Sequence, residues 1–171
     1  RYMRGIAGRY GVALDMPADK EALYAYYLDA IKGRLKPLPG VMDFIGHCRQ
    51  QMLSLAVASS ADRKKLEGNL VQIGLPLELF DALVTGNDVS QPKPDPAIFK
   101  LAARRLGLYP QDCLVVEDSL NGIAAAKAAG CYCLAVTTEF EPDDLTAAGA
   151  DWVAPDLSQI RLSKTDPASR V

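Results

Sequence analysis

Five short apolar runs punctuate this chain, and their spacing sets the strongest limit on what it can fold into. Leu53–Ala58, Phe80–Thr85, Cys113–Val116, Cys131–Val136 and Trp152-Val153 are near-continuous in apolar character rather than alternating with polar residues. Between them lie stretches with helical spacing: Ala61–Ile73 closed by Gly74, Asp95-Pro96 to about Leu106, Asn121–Ala129 ended by Gly130, and Asp143–Ala148 closed by Gly149. A strand that is apolar on both faces must be covered on both, and helices alternating with such strands supply the cover. The expected fold is α/β: a Rossmann-like parallel sheet core with helices on both faces. No internal repeat or low-complexity segment competes with it.

Ahead of the runs, Lys36-Pro-Leu-Pro-Gly40 packs two prolines and a glycine into a short stretch. That stops a helix and stiffens the chain, as at a domain hinge. Val41–Gln50 after it reads as a helix. Before it, Tyr2–Tyr10 and Lys20–Lys32 carry apolar residues at helical spacing, punctuated by Gly11 and Pro17, so residues 1–36 read as two or three short helices. The expected division is a small helical unit over 1–36, the α/β core over 37–162 and a polar tail over 163–171.

Composition excludes several classes of function. Nineteen basic and 21 acidic side chains give a net charge of -2, with no basic stripe for a nucleic acid or a membrane surface. The longest strongly apolar stretches, Met52–Ala58 and Cys131–Val136, fall far short of the ~20 residues that span a bilayer. Cys48, Cys113, Cys131 and Cys133 read as free thiols of a reducing cytoplasm, none at a zinc spacing beside His47. His47 is the one histidine and sits in an amphipathic stretch, so Ser-His or Cys-His catalysis has little to build on.

Ligands of open parallel sheets bind beyond the carboxyl ends of the strands, and three polar stations stand there. Ser59 ends Leu-Ala-Val-Ala-Ser ahead of a helix N-terminus, where a hydroxyl and backbone N–H groups can donate to a phosphate. It would serve equally as a plain helix cap, and Ser60 could be the cap with Ser59 the ligand. Lys93 lies in Gln91-Pro-Lys-Pro-Asp-Pro96, where prolines on both sides restrict the region its ammonium can reach, more than an exposed loop lysine needs. Glu117-Asp118-Ser119 follows the apolar Leu114-Val-Val116. Adjacent carboxylates repel unless compensated, and such hard oxygen ligands suit Mg²⁺. Capping through Asp118 or Ser119 is the alternative, and it leaves Glu117 unexplained.

Taken together, a hydroxyl, a lysine and a carboxylate pair in this order resemble the haloacid-dehalogenase-like superfamily, and within it the β-phosphoglucomutase-like phosphatases and mutases. Val57-Ala-Ser-Ser60 is similar to the second motif, Lys-Pro-Asp-Pro from Lys93 to the third, and Val-Val-Glu-Asp-Ser119 with Gly122 to the fourth. Leu38-Pro-Gly-Val41 looks like the return from a helical cap into the core, which makes residues 1–36 a partial cap. The resemblance runs from about Leu35 to Ile160. It implies an aspartate nucleophile that forms an aspartyl-phosphate, a second aspartate as acid and base, and Mg²⁺ as cofactor. It assigns Ser59 and Lys93 to catalysis, Ser59, Ser60 and Lys93 to phosphate, and Glu117 and Asp118 to the metal.

The chain departs from that pattern in two places. No Asp-x-Asp segment follows an apolar strand: Asp15 precedes Pro17 and lacks a second Asp two residues on, and Asp29, Asp43 and Asp62 fail likewise. In the family that strand is central, between the strands ending at Ser59 and Asp118. Without it two apolar edges face each other across a gap one strand wide, an aggregation liability. Residues 1–171 are therefore expected not to fold stably alone and to belong to a longer chain. The second departure is Asp62, whose charge would repel the second phosphate of a bisphosphate intermediate and favours phosphatase over mutase. The resulting expectation is a Mg²⁺-dependent phosphatase of a small phosphorylated metabolite such as a sugar phosphate. The alternatives are a phosphomutase, a metal-independent dehalogenase that Glu117-Asp118 argues against, and a non-catalytic binding module. Tyr24, Tyr26 and Tyr27 are candidates to line the cap, packing within the cap being the expected use of at least two.

Overall fold

The computed structural model describes residue 13 and residues 15–162. The expectations for Tyr2–Tyr10 and for the tail over 163–171 lie outside the described residues. Helix α1 covers Met16–Ile31, so the helix begins ahead of the expected Lys20. Pro17 falls in its first turn rather than interrupting it, because an N–H there would have no partner anyway. Helix α2, Val41–Gln50, starts at Gly40, whose φ of 79° is left-handed and where a Cβ would come within 2.2 Å of the Ser158 backbone. His47 lies half-buried on α2 with Nε2 3.1 Å from the Leu162 carbonyl.

The α/β alternation then runs as expected: β1 Ala56–Ala58, α3 Arg63–Gln72, β2 Ala82–Val84, α4 Ala97–Arg105, β3 Leu114–Glu117, α5 Leu120–Ala129, β4 Tyr132–Val136, α6 Pro142–Ala147 and β5 Trp152–Ala154. Local chemistry explains the helix starts. The Asp62 carboxylate accepts from Lys65 N at 3.2 Å, Asp95 from Ala97 N at 2.9 Å, and Ser119 Oγ from Gly122 N at 3.1 Å. The expected strand Leu53–Ala58 shortens to its last half, because Leu55 N donates to the Asp81 side chain at 2.7 Å instead of to a ladder carbonyl.

All strand pairs are parallel, but they form two sheets: β1 with β2, and β3-β4-β5 with β4 in the middle. Alternate residues serve opposite faces. Cys133 and Ala135 of β4 pack with Ile98 and Phe99 of α4 and with Ile123 and Ala126 of α5. Leu134 and Val136 pack with Phe44 and Cys48 of α2. A third cluster joins Leu66 and Leu70 of α3 to the other face of β1 and β2 through Val57 and Leu83. Helices thus cover both faces, which directs the site to the strand ends.

Helix α1 lies on α3. Gly68 lets Leu28 approach closely, since a Cβ there would stand 2.2 Å from Leu28 Cδ2. Tyr27 donates to Asn69 Oδ1 at 2.9 Å, and Tyr24 sits beneath the ammonium groups of Lys20 and Lys64, 5.4 and 5.8 Å from its ring centre. Tyr26 is 75% exposed. Tyr24 and Tyr27 therefore bear on α3 of the core, where packing within the helical unit was expected.

Candidate active site

The carboxyl ends of β1 and β3 open at one mouth, and Lys93 joins them. Its Nζ lies 3.5 Å from the Ala58 carbonyl oxygen and contacts the Glu117 carboxylate. The Lys93–Pro94 peptide is cis, and the ammonium stands 4.6 Å from the centre of the Phe99 ring. Both charged side chains are about nine-tenths buried, Lys93 at 11% and Glu117 at 10% exposure. A buried ion pair requires that the remaining polar atoms be satisfied, and they are. Glu117 Oε2 accepts from Asp118 N at 2.8 Å and from Ser119 N and Oγ at 3.1 Å. Burial pushes the Glu117 carboxyl up, but the Lys93 ammonium and these donors outweigh it and hold the group below its usual range.

Glu117 also depends on α5. A Cβ at Gly122 would lie 2.0 Å from Glu117 Oε1, so the carboxylate folds over the first helical turn only because residue 122 has no side chain. Of the acidic pair, then, Glu117 faces inward as the partner of Lys93. Asp118 is the carboxylate left toward the mouth, and among the described residues its one side-chain hydrogen bond comes from Thr138 Oγ1 at 2.9 Å. Thr138 follows β4, the neighbour of β3, and sequence reasoning missed it.

Ser59 sits beside Ala58, its N–H bonded to Val84 O at 2.9 Å and its Oγ accepting from Ala61 N at 3.1 Å. Among the described residues no acceptor takes the hydroxyl proton, which is then available to a ligand. Ser60 is exposed and does not cap α3; Asp62 does. Gly86, after β2, abuts the Ser60 carbonyl so closely that a Cβ would stand 2.4 Å from its oxygen, a contact no sequence signal announced. The expected charge effect of Asp62 also needs correction. Its Oδ2 is 3.0 Å from Lys20 Nζ of α1, so its charge is offset, and it argues little against a second phosphate.

Burial and hydrogen bonds decide how a metal would fit. Glu117 spends its oxygens on Lys93 and its own loop, while Asp118 keeps accepting capacity. Among the described residues no group of three or more His, Cys, Asp or Glu is arranged to hold a metal. Mg²⁺ needs few protein carboxylates when water and a substrate phosphate complete its octahedron, and Asp118 fits that use.

Comparison with known proteins shows the family to which the chain belongs. A family model described as haloacid dehalogenase-like hydrolase matches residues 2–136. The chain is 37% identical over 169 residues to the protein SUPPRESSOR OF QUENCHING 1, chloroplastic, of Arabidopsis thaliana, covering 95% of this chain and 16% of that protein. It is 36% identical over 129 residues to the validoxylamine A 7'-phosphate phosphatase of Streptomyces hygroscopicus subsp. limoneus, covering 75% and 59%. The crystal structure of CbbY from Rhodobacter sphaeroides in complex with phosphate superposes with a TM-score of 0.76 at 30% identity, covering 87% of this chain and 68% of that one. The chain thus spans less than two thirds of either curated relative. Among the described residues no helix is long and apolar enough to cross a membrane.

Proposed function

The chain belongs to the haloacid dehalogenase-like hydrolase family, and on that premise we propose that the whole protein is a Mg²⁺-dependent phosphatase of a small phosphorylated metabolite, such as a sugar phosphate. The observation that carries the reading is the meeting of Ser59, Lys93 and Glu117-Asp118 at one mouth, bridged by Lys93. A phosphoryl group entering there meets a hydroxyl donor and an ammonium held in place by three contacts. Both are preorganised in a half-buried site, where charge stabilisation is strongest.

In the proposed reaction a carboxylate from outside residues 1–171 attacks phosphorus, and the phosphorus–oxygen bond to the alcohol breaks. The alcohol leaves with a proton from a second carboxyl group, also outside residues 1–171; that carboxylate then takes a proton from the water that attacks the aspartyl-phosphate, and inorganic phosphate is released. Asp118 would hold Mg²⁺, which when bound would supply positive charge to offset that of the phosphate. Glu117 acts through Lys93, keeping its ammonium at the mouth. Residues 1–36 would belong to a helical cap, with α1 bearing on α3 just behind the Ser59 loop. With its thiols free, the protein would work in the cytoplasm.

A panel of phosphate esters, assayed on the whole protein for phosphate release with and without Mg²⁺, tests this reading. Asp118→Asn and Lys93→Ala should each lower turnover on the order of 100-fold. Unchanged turnover in both variants, or phosphate release that survives EDTA undiminished, would sink the assignment; halide release from a 2-haloacid in the presence of EDTA would point to a metal-independent dehalogenase. A β-phosphoglucomutase-type phosphomutase is the second reading, favoured by the Lys20–Asp62 ion pair that offsets the repelling charge. Interconversion of sugar phosphates primed by a bisphosphate, with little free phosphate, would select it.

A further inference from the structure

Asp118 is held twice over, once through its main chain and once through its carboxylate. Its N–H donates to Glu117 Oε2 at 2.8 Å, and Lys93 contacts the other oxygen of that carboxylate. Its own Oδ2 accepts from Thr138 Oγ1 at 2.9 Å. Thr138 stands just past β4, whose register with β3 sets Ala135 beside Glu117. The two strand ends thus bring the hydroxyl and the carboxylate to one mouth.

The hydroxyl serves no local structural purpose. The turn after β4 is held by main-chain bonds, Thr137 N to Ala154 O at 3.1 Å and Thr138 N to Val136 O at 3.0 Å. Helix α6 takes Glu141 as its N-cap, three residues further on, and no side chain caps it. Thr138 is exposed, so burial does not compel its hydroxyl to find a protein partner. Charge also separates the two neighbouring carboxylates. Glu117 is matched by the Lys93 ammonium, whereas the donor to Asp118 is neutral. A lysine in the place of Thr138 would cancel the charge that attracts a metal. A hydroxyl orients the carboxylate and leaves that charge intact. Among the described residues no donor reaches the other oxygen, Oδ1.

We propose that Thr138 is a positioning residue that governs metal choice: by holding Oδ2 it presents Asp118 as a one-oxygen ligand and so favours Mg²⁺ over Ca²⁺. The inference rests on the reading of Asp118 as the Mg²⁺ ligand and deepens it. Mg²⁺ demands an octahedron and keeps several waters, so a single oxygen from Asp118 suffices. Ca²⁺ is larger, takes more oxygens and often draws both from one carboxylate. Turning both Asp118 oxygens onto one ion would set that ligation against the Thr138 bond. Partners that orient a metal ligand in this way are worth on the order of 10–100-fold in metal affinity. Valine at 138 would keep the shape of threonine and delete the donor, while serine would keep the donor and drop the methyl group.

Calorimetric titration of the whole protein with magnesium chloride and, separately, calcium chloride tests this in wild type, Thr138→Val, Thr138→Ser and Asp118→Asn. Thr138→Val should bind Mg²⁺ about tenfold more weakly while its Ca²⁺ affinity stays near that of wild type. Thr138→Ser should bind both metals as wild type does, and the metal-free melting temperatures of both variants should match it. Unchanged Mg²⁺ binding in Thr138→Val, with binding lost in Asp118→Asn, would overturn this inference alone. Wild-type Mg²⁺ binding in Asp118→Asn would overturn the reading of Asp118 and this inference with it. Three further results would also sink the proposal: equal losses for both metals in Thr138→Val, a serine variant as weak as the valine one, or a wild-type protein that binds Mg²⁺ no more tightly than Ca²⁺.

Discussion

Lys93 and Glu117 are each about nine-tenths buried, so neither can be altered alone without stranding the other. Removing one partner of a buried pair typically costs about 3 kcal/mol, because the remaining charge keeps its desolvation penalty. Lys93→Ala in the whole protein should lower the unfolding free energy by about that much in urea melts. The double variant Lys93→Met with Glu117→Gln should recover most of it. The pH dependence follows from the sign of the shift. Lys93 and the loop donors hold the folded Glu117 carboxyl below its unfolded value, with burial opposing. Its contribution is therefore complete above an unfolded pKa of about 4.3 and is lost as pH falls through the folded value. The wild-type urea midpoint should fall more steeply below about pH 4.3 than that of Glu117→Gln, and parallel curves would refute the pairing. Ser59, Glu117 and Asp118 were legible in the sequence because each stands where an apolar run ends, and Lys93 because prolines flank it. Which of two adjacent carboxylates turns inward was not, because the choice depends on Lys93, 24 residues away. Thr138 was hidden for the same reason: it meets Asp118 only because β4 lies beside β3.

At the scale of the element, Gly122 sets two effects against each other. Alanine in a helix is about 1 kcal/mol better than glycine, so Gly122→Ala gains in propensity. The new Cβ would occupy the place of the Glu117 carboxylate, 2.0 Å from Oε1, and would push it off Lys93. The gain is smaller than the roughly 3 kcal/mol that separating the buried pair costs, so the clash wins and the site loses its geometry. The expected outcome is a melting temperature several degrees below wild type and turnover reduced at least tenfold; a melting temperature at or above wild type with retained turnover would remove Gly122 from the site. Asp62→Ala is simpler: it deletes the α3 cap and the Lys20 contact, and should cost about 1 kcal/mol in a thermal melt. Helices read well from the sequence because their ends are written locally, as Asp62, Ser119 and Gly130 show. Strand lengths read less well. Leu53–Ala58 looks like one strand, yet the Asp81 carboxylate captures the Leu55 amide and shortens it, a contact 26 residues away in sequence.

For the molecule as a whole, no ladder joins β1-β2 to β3-β4-β5; packing by α2 and α4 and the Lys93 bridge do. Periodicity indicated strands, helices and parallel pairing; the gap in the middle of the sheet was expected from the family resemblance, through the missing Asp-x-Asp strand, and not from any local pattern, because strand order is set by neighbours in space. The cysteines can report how evenly the molecule is held. Cys131 and Cys133 are 2% and 0% exposed, and burial pushes their thiols up to about 11 and about 12. Cys113 is only half-buried, lining the cavity between β1 and β3, and its thiol is raised by burial and by Asp112. The thiolate is the reactive form, so both access and ionisation favour Cys113 over the other two at pH 8. Thiol-reactive labelling of the whole protein in graded urea, read by peptide mass, should therefore mark Cys113 first. Cys131 and Cys133 should follow together at the global unfolding midpoint, since they share the cluster with Ile123 and Leu145. Labelling of Cys133 well below that midpoint would mean that β4 opens on its own, and the three-stranded sheet would not be the rigid half of the fold.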